Sequence, residues 1–447
     1  MASLQYNSSL FVILVTLAIV GLFVCPAYST SRGVLNHQTL ETGFRVALQH
    51  VDYGKNLTKF ERIQHGIKRG WHRLQRLNAM VLASTPESQF QAPVHGGNGE
   101  YLLNLAIGTP PLAFSAVLDT GSDLIWTQCK PCTQCYKQPT PIFDPKQSSS
   151  YSKLPCSSNL CDKLPSSTCG QDGCEYVYTY GDYSITQGIM ATETLTFGDS
   201  GDKVSVPNIG FGCGEDNEGD GFSQGGGLVG LGRGPLSLVS QLKEPKFSYC
   251  LNSVDDSKTS ALLMGSLASV NTTHKTVTTP LITNPSQTSF YYLSLEGISV
   301  GGTKLPIEKT TFELQDDGSG GLIIDSGTTI TYLEESGFKI LKKEFISQTK
   351  LPLDTSGATG LDVCFTLPSD SSQVEIPKLA FHFKGGDLEL PVDNYIIADS
   401  DLGVACLAIG AASGMSIFGN IQQQNLLVFH DLGKETLSFV PTQCNQL

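Results

Sequence analysis

The sequence predicts an all-β protein built from two related lobes, and three observations support this. Only 16% of the residues are charged, 46 are glycine, and short Ser/Thr-rich apolar runs alternate with turn residues, a pattern typical of many short strands. The chain has 447 residues, enough for two or three domain-sized units with cores of their own. An apolar run followed by Asp-Thr-Gly or Asp-Ser-Gly also occurs twice, which favours a duplicated lobe.

The chain begins with a segment unlike the rest. Residues 10–24 form one apolar run of 15, followed by small residues at 27–29. This pattern predicts a secretory signal peptide over 1–29. A membrane anchor is the alternative, but the run is short for a span, which needs about 20 residues, and no second run follows it. We therefore expect no membrane segment in the mature form.

Residues 30–79 form a basic leader, with nine Lys/Arg against three Asp/Glu. Apolar side chains recur in it at steps of three and four, which predicts an amphipathic helix. Such a basic helix could also bind a membrane surface or a nucleic acid. The charge of the rest of the chain distinguishes these functions from that of a propeptide. The apolar positions are Phe60, Ile63, Ile67, Trp71, Leu74 and Leu77.

The remainder of the chain is acidic, whereas the leader is basic. After residue 79 stand 20 of the 29 basic and 39 of the 42 acidic residues, a net charge of −19. We therefore interpret 30–79 as a propeptide clamped on an acidic body, and not as a nucleic-acid or membrane binder. Acid would protonate body carboxylates and weaken the clamp, and cleavage is expected around 77–82. The leader histidines, which would gain charge in acid, are His37, His50, His65 and His72.

Two carboxylates organise the body. Asp119 follows an apolar run in 116–122 (AVLDTGS), and Asp325 follows one in 322–329 (LIIDSGTT), 206 residues later. A single Asp-Ser/Thr-Gly is an ordinary turn after a strand, but two copies at this distance predict paired sites. Two carboxyls that face each other cannot both ionise cheaply, so they share a proton, leaving one base and one acid.

The chain after residue 80 resembles the pepsin-like aspartic proteases, and among them the nepenthesin-type plant enzymes. The resemblance implies a bilobal pepsin-like fold with a central active-site cleft, an N-terminal lobe over 80–252 and a C-terminal lobe over 253–447. It also implies that Asp119 and Asp325 are catalytic and activate a water, with no metal and no cofactor; a proton shared by two aspartates is a general property of this family. The residues implied to support the pair are Thr120, Gly121, Ser122, Ser326, Gly327 and Thr328.

A hairpin with alternating aromatic residues is predicted over 175–188. Its Tyr180-Gly181 resembles the flap that closes over bound peptide in this family. Trp126 matches the tryptophan beneath the first lobe's site and is expected to hydrogen bond to Tyr180. The sequence departs from its relatives at Tyr183, where they usually have glycine, so the flap turn and the substrate preference are open.

Seven cysteines fall in a polar insert over 129–174, and twelve remain once the signal segment with Cys25 is removed. Cys-x-x-Cys spacing can also bind zinc, but a secreted route and the lack of histidine in the insert favour disulfides. Six bridges are possible, and one insert cysteine must pair outside. By resemblance Cys364 pairs with Cys406, and a Cys250–Cys444 bridge would tie down the chain's end. The remaining candidates are Cys129, Cys132, Cys135, Cys156, Cys161, Cys169, Cys174 and Cys213.

Further elements complete the body. Apolar residues are joined to glycine at 226–232 and 416–420, and the resemblance implies that these segments cross beneath the two Asp turns. The first lacks the GK[ST] ending of a phosphate loop, which argues against nucleotide binding there. Strands are predicted at 290–293 and 381–390, and a helix at 334–349. The glycosylation sequons are Asn271 in the body and Asn56 in the leader.

The predicted function is that of a secreted aspartic endopeptidase, hydrolysing proteins at acidic pH after activation of a zymogen. Its partners are extended peptide substrates, bound along the flap, and its own propeptide as inhibitor; the mature protein is expected to be a monomer. We expect an acidic extracellular fluid, either a digestive secretion or the apoplast, with the vacuole as an alternative. The rival interpretation is a catalytically inactive binding or inhibitor protein of the same fold, because plant relatives include glycosidase inhibitors.

Overall fold

The computed structural model describes residues 43–83, 100–180, 184–198, 203–219, 222, 224–242, 245–253, 259–270, 275–357, 359–368 and 374–447. The predicted signal peptide, Gly181, Tyr183 and the sequon at Asn271 lie outside these ranges. Among the described residues, no helix has both the length and the apolar character needed to cross a membrane.

Short strands dominate the first half of the described chain, where α1 (Lys59–Ala83) and the single turn α2 (Leu238–Gln241) are helical. The strands are β1 (Phe44–His50), β2 (Tyr101–Ile107), β3 (Leu112–Asp119), β4 (Trp126–Gln128), β5 (Ser152–Lys153), β6 (Ser167–Gly170), β7 (Gly173–Thr179), β8 (Ile185–Phe197), β9 (Val204–Glu218), β10 (Gly227–Gly230), β11 (Lys246–Cys250) and β12 (Ser260–Met264).

The second half repeats this character around one longer helix, α3 (Glu335–Gln348). The prediction of an all-β architecture is therefore confirmed. The strands are β13 (Val277–Ile282), β14 (Tyr292–Leu293), β15 (Leu295–Val300), β16 (Thr303–Lys304), β17 (Leu322–Ile324), β18 (Thr331–Glu334), β19 (Cys364–Thr366), β20 (Leu379–Phe383), β21 (Gly386–Leu390), β22 (Ile396–Asp399), β23 (Val404–Leu407), β24 (Ile409–Ala412), β25 (Ser416–Phe418), β26 (Leu426–Asp431) and β27 (Thr436–Pro441).

The two Asp motifs occupy equivalent places in the sheet. Strand β3, which ends at Asp119, pairs in parallel with β10, and β17, which ends just before Asp325, pairs in parallel with β25. On its other side each crossing strand has an antiparallel neighbour, β4 next to β10 and β18 next to β25. The glycine-ended segments predicted to cross beneath the turns supply β10 and β25, so strand, turn and crossing strand repeat as a duplication predicts.

The leader is part of the folded body. Strand β1 pairs antiparallel with β2 and with β12, and Leu48 lies opposite Leu103. The predicted amphipathic helix is confirmed as α1, whose Ile63, Leu74 and Leu77 are buried in one apolar cluster with side chains of the second half. The helix continues beyond residue 79 to residue 83, so the predicted cleavage region lies inside it.

The second half corrects one strand prediction. The predicted helix at 334–349 is α3, and the strand at 290–293 is reduced to β14. The single strand predicted at 381–390 is wrong, because this segment is the hairpin β20–β21, in which Phe383 pairs with Gly386. The turn needs Gly385, whose φ is 101°, a conformation that glycine adopts without a steric penalty.

Six disulfides join the twelve cysteines. The Cys129–Cys213 bridge leaves the insert, as the odd number of insert cysteines requires. The chain's end is tied by Cys250–Cys444, and neighbouring strands β19 and β23 are joined by Cys364–Cys406. The bridges within the insert are Cys132–Cys135, Cys156–Cys169 and Cys161–Cys174.

Candidate active site

Asp119 lies at the end of β3 with its carboxylate fixed by its own turn. The Gly121 N–H donates to Asp119 Oδ1 at 2.9 Å, and the Ser122 hydroxyl donates to Oδ2 at 2.5 Å. Two donors within three residues hold the carboxylate in one orientation, because each oxygen has its own partner. The sequence requires this geometry locally: glycine admits the tight turn and serine supplies the second donor.

Asp325 is held in the same way after β17. The Gly327 N–H donates to Asp325 Oδ1 at 3.2 Å, and the Thr328 hydroxyl donates to Oδ2 at 2.6 Å. The two Asp-Ser/Thr-Gly-Ser/Thr turns therefore use equivalent donors, as their sequences predict. Both carboxylates are buried, with exposures of 0% for Asp119 and 1% for Asp325.

A cross-link of hydrogen bonds joins the two turns. The Thr120 hydroxyl donates to Asp325 Oδ1 at 3.1 Å, and it accepts from the Ser326 N–H at 3.3 Å. The structure thus brings together the two predicted catalytic aspartates and all six predicted supporting residues, which belong to segments about 200 residues apart in sequence.

The predicted flap tyrosine lies beside this centre. Tyr180, just beyond β7, is buried, and its hydroxyl accepts a hydrogen bond from Trp126 Nε1 at 2.8 Å, as the resemblance implied. Phe222 packs edge-on against both rings. The described flap strands β7 and β8 pair antiparallel, while Gly181 and Tyr183 lie outside the described residues.

Asp123, which sequence reasoning missed, ties the first turn to the second half of the chain. It accepts from the Ser289 hydroxyl at 2.5 Å and from the Gly234 N–H at 2.9 Å. Burial raises the pKa of Asp123 above its ordinary range. The available signal was the position of this second aspartate directly after Asp-Thr-Gly-Ser, where the chain leaves the turn.

The most important residue that sequence reasoning missed is Arg73 of the leader helix. Its Nε donates to Asp325 Oδ2 at 2.5 Å, and its Nη2 donates to Asp119 Oδ1 at 2.5 Å and to Asp325 Oδ1 at 2.7 Å. Arg76, one turn later, contacts Asp119 Oδ2 at 3.4 Å and lies over the Tyr180 ring, 5.6 Å from its centroid. The leader therefore fills the site.

Comparison with known proteins identifies the family. Two family models match, one described as xylanase inhibitor N-terminal over residues 101–266 and one described as xylanase inhibitor C-terminal over residues 290–441. Aspartic proteinase nepenthesin-1 from Nepenthes gracilis is 54% identical over 98% of this chain and 99% of its own length. Nepenthesin-2 from the same plant is 52% identical over 98% and 99%. This chain belongs to the nepenthesin-type aspartic proteases.

Solved structures support the same fold. The crystal structure of edgp is 20% identical, covers 81% of this nepenthesin-type chain and 95% of its own, and superposes with a TM-score of 0.64. At 20% identity this similarity supports the fold alone. The predicted bilobal pepsin-like fold is confirmed, and the family to which this chain belongs is one of aspartic-type endopeptidases.

In this nepenthesin-type site the arginines of the leader helix lower the pKa of both aspartates. Burial alone would raise the pKa of Asp119, but the guanidinium groups of Arg73 and Arg76 outweigh it and hold that pKa well below its usual range. The pKa of Asp325 is lowered as well, because Arg73 outweighs the effect of burial. Both carboxylates are therefore held ionised, whereas peptide hydrolysis by such a pair needs one of them protonated.

Close approach of the leader helix depends on small residues. A Cβ at Gly327 would lie 2.4 Å from the Arg73 guanidinium carbon, and a Cβ at Gly66 would lie 2.8 Å from the Thr329 side chain. Any larger residue at either position would force the helix away from the aspartates. Glycines at 66 and 70 and arginines at 69, 73 and 76, each spaced by three or four residues, were the sequence signal for a helix that packs tightly and carries cations.

A second cluster fastens the leader at the edge of the site. Arg69 Nε donates to Glu100 Oε1 at 2.7 Å, and Arg69 Nη2 donates to Asp52 Oδ2 at 2.8 Å. His50 Nε2 lies 3.0 Å from Glu100 Oε2. Burial would raise the pKa of Glu100, but Arg69 and His50 lower it to about 2. Two leader side chains, Arg69 and His50, thus meet a single buried carboxylate of the body.

Proposed function

We propose that this protein is a secreted endopeptidase that is made as an inactive zymogen and matures in acid, with Asp119 and Asp325 as its catalytic residues. The observation that carries the proposal is the bridge from Arg73 to both carboxylates. A cation placed on two cross-linked aspartates is what an inhibitory leader needs, because it neutralises the pair and occupies the place of water and substrate.

Once the leader leaves, the like charges of the two carboxyls force them to share a proton. The ionised member takes a proton from a water held between them as the water oxygen attacks the scissile carbonyl carbon. The protonated member donates its proton to the carbonyl oxygen. Collapse of the tetrahedral intermediate then breaks the C–N bond as the amine nitrogen is protonated, and the pair returns to its starting state.

The flap has a defined part in this proposal. Tyr180 is held by Trp126, and the two flap strands would supply backbone hydrogen bonds to an extended substrate. Closure of the hairpin would exclude bulk water from the reacting atoms. In the leader-bound state Arg76 lies on the Tyr180 ring, so the same cations that neutralise the carboxylates also occupy the space beneath the flap.

Acid opens the leader clamp through the carboxylates that hold it. The pKa of Glu100 is lowered in the clamp, from its ordinary value of 4.5 to about 2, so its stabilisation is present above pH 4.5 and is lost as the pH falls toward 2. The lowered pKa values of Asp119 and Asp325 act in the same direction. Leader release is therefore expected to accelerate across this acidic window.

An acidic compartment suits this chemistry. We propose secretion into a digestive fluid or the apoplast, with the vacuole as an alternative. Six disulfides suit an oxidising route.

One competing function has an observation in its favour. The descriptions of the two matching family models name xylanase inhibitors, which agrees with a catalytically inactive binding protein. Against it stand the paired donors on Asp119 and Asp325 and the Thr120 cross-link, because a protein that only binds has no need to keep two buried carboxylates in register.

The deciding experiment is hydrolysis of a denatured protein at pH 2.5–4 by the acid-matured protein, with and without pepstatin. We expect pepstatin-sensitive hydrolysis that falls at least roughly a thousandfold in Asp325→Asn and Asp119→Asn, because each loses half of the acid–base pair. Asp401→Asn, at an exposed aspartate of the second half, is the matched control and should keep full activity. Matured wild type without hydrolytic activity would favour the inhibitor function.

A further inference from the structure

A cavity lies between the leader helix and the second half of the chain, at the strand β18 that follows the Asp325 turn. Its volume is about 500 Å³. The leader side is formed by Lys68 and Trp71, among others, and the body side includes Ile330 and Leu361. Because the body side remains when the leader departs, this wall becomes part of the cleft in the mature enzyme.

Two polar side chains of the body wall, Tyr332 and Asp362, lie next to each other. Tyr332 is 3% exposed, and its buried hydroxyl has no hydrogen-bond partner among the described residues. The carboxylate of Asp362, an exposed residue that lines the same cavity, lies beside the Tyr332 ring: both come within 4 Å of the place that a Cβ at Gly410 would take. A buried hydroxyl without a partner is costly, so it suits a site that a ligand completes.

The leader indicates which kind of side chain fits. Lys68 places a positive charge along this cavity, and the Trp71 ring lies 6.0 Å from the Tyr332 ring. On the same helix, Arg73 contacts both aspartates of the dyad. A cation with a long aliphatic stem would contact the apolar wall with its stem and reach the Tyr332 hydroxyl and the Asp362 carboxylate with its tip.

The distance from the dyad sets the position along a substrate. Lys68 and Arg73 are five residues apart on α1, roughly 8 Å along a helix axis. For an extended peptide that runs along α1 and advances about 3.3 Å per residue, the cavity corresponds to a side chain two or three residues from the scissile bond. Successive side chains of an extended peptide point to opposite faces, so one position should be selected.

We propose that this cavity is a substrate subsite that selects lysine or arginine two or three residues from the cleaved bond, with Asp362 and the Tyr332 hydroxyl as its specificity determinants. The inference rests on the proposed peptidase function and adds to it the chemistry of one subsite. Asp362 is exposed and its attraction is screened by solvent, so the preference is expected to be modest.

The test uses acid-matured enzyme at pH 5, since a carboxylate attracts a cation only when it is ionised. Peptides identical except for lysine, norleucine or glutamate at each position around the cleaved bond are compared by kcat/KM. Wild type should prefer lysine to norleucine about three- to fivefold at one position, and Asp362→Asn should bring that ratio to about one by lowering kcat/KM for the lysine peptide. Tyr332→Phe should lower the ratio about twofold, and the control Asp401→Asn should leave it unchanged.

The outcomes separate the subsite from the peptidase function. An equal lysine-to-norleucine ratio in wild type and Asp362→Asn would overturn the subsite, and so would a preference located next to the cleaved bond. Hydrolysis of the norleucine peptide reports the peptidase function by itself, because it does not involve the carboxylate of Asp362. If matured wild type leaves the norleucine peptide intact, the peptidase function fails and the subsite fails with it.

Discussion

Two arginines one turn apart on α1 bridge carboxylates in different ways. Arg73 is fully buried and contacts Asp119 and Asp325, both from the body. Arg69 is 12% exposed and joins Asp52 of the leader to Glu100 at the start of the body. In the function we propose, the inner bridge blocks the chemistry, whereas the outer one fastens helix, leader strand and body together. We therefore expect inhibition to depend on Arg73 and the pH of release to depend on the Arg69 cluster.

The largest effect is expected for Arg73→Met, which removes the inner bridge and leaves the outer one. Asp325 then lacks its cation and Asp119 keeps only Arg76, at 3.4 Å; losing one partner of a buried ion pair costs about 3–5 kcal/mol. The unprocessed protein should therefore hydrolyse a peptide at pH 5, where the wild-type zymogen stays latent. Peptide hydrolysis is measured together with a gel that shows the leader still attached.

Lys59→Met is the matched control, because it removes an exposed cation from the first turn of the same helix. It should leave latency unchanged. If the Arg73→Met zymogen stayed as latent as wild type, inhibition would have to come from the apolar contacts of α1 instead.

The next effect is expected for Glu100→Gln, which weakens the outer bridge. The lowered pKa of Glu100, about 2 against 4.5, corresponds to about 3 kcal/mol of clamp stability above pH 4.5. The variant lacks this contribution at every pH, so leader release should already be rapid at pH 5 and should depend less on pH between 5 and 2. Maturation is followed by gel at a series of pH values.

Glu308→Gln, at an exposed glutamate of the body, is the control for this change and should mature as wild type does. A Glu100→Gln profile that coincides with the wild-type profile would assign the acid response to Asp119 and Asp325 instead of the outer cluster.

Acid also acts on the body itself, and His430→Phe separates this effect from leader release. Burial lowers the pKa of His430 to about 3, and its ring stacks on Phe247. A histidine with a lowered pKa destabilises the fold as the pH falls below its ordinary value of 6.5, by about 2 kcal/mol at pH 5. The gain in unfolding temperature of the phenylalanine variant over the protein with His430 should therefore be larger at pH 5 than at pH 7.

This measurement is made in an Asp325→Asn background, which prevents self-digestion during the thermal scan. Unfolding temperatures at pH 5 and pH 7 are compared for the Asp325→Asn protein with His430 intact and for the same protein carrying His430→Phe. An equal change at both pH values would mean that packing, and not protonation, accounts for the effect.

The smallest effect is expected for Tyr180→Phe. This variant tests whether the Tyr180 hydroxyl contributes to inhibition by the leader or only to activity of the mature enzyme. The variant keeps the ring that Arg76 covers but loses the acceptor for Trp126 Nε1. One buried hydrogen bond is worth about 0.5–1.5 kcal/mol, so mature kcat/KM should fall roughly two- to tenfold while latency persists. Hydrolytic activity of the unprocessed variant would show that inhibition by the leader depends on the Tyr180 hydroxyl.

Much of the architecture was predictable because its signals are local. The runs before Asp119 and Asp325 are apolar because β3 and β17 are buried, and glycine follows each aspartate because the turn is tight. The apolar spacing of the leader predicted α1 for the same reason. The hairpin β20–β21 was missed because its turn interrupts an apolar alternation with only two residues, too few to stand out from a continuous strand.

The contents of the cleft were not predictable in the same way. Arg73 is one of nine basic residues in the leader, and it meets partners 46 and 252 positions away. Nothing in the local pattern distinguishes it from Arg76 or Arg69, since all three lie near one face of the helix. The same holds for Ser289 as the partner of Asp123, and for the partners of the insert cysteines.

The sequence by itself determined the strand-rich fold class, the duplicated aspartate turns and the helical basic leader, because hydrophobic period, glycine turns and charge are properties of neighbouring residues. Only the tertiary structure decided that Arg73 lies on the aspartates, that Glu100 closes the leader clamp and that Tyr332 and Asp362 share a cavity. Those contacts join segments tens to hundreds of residues apart, and they are selected by packing and charge pairing once the whole chain is folded.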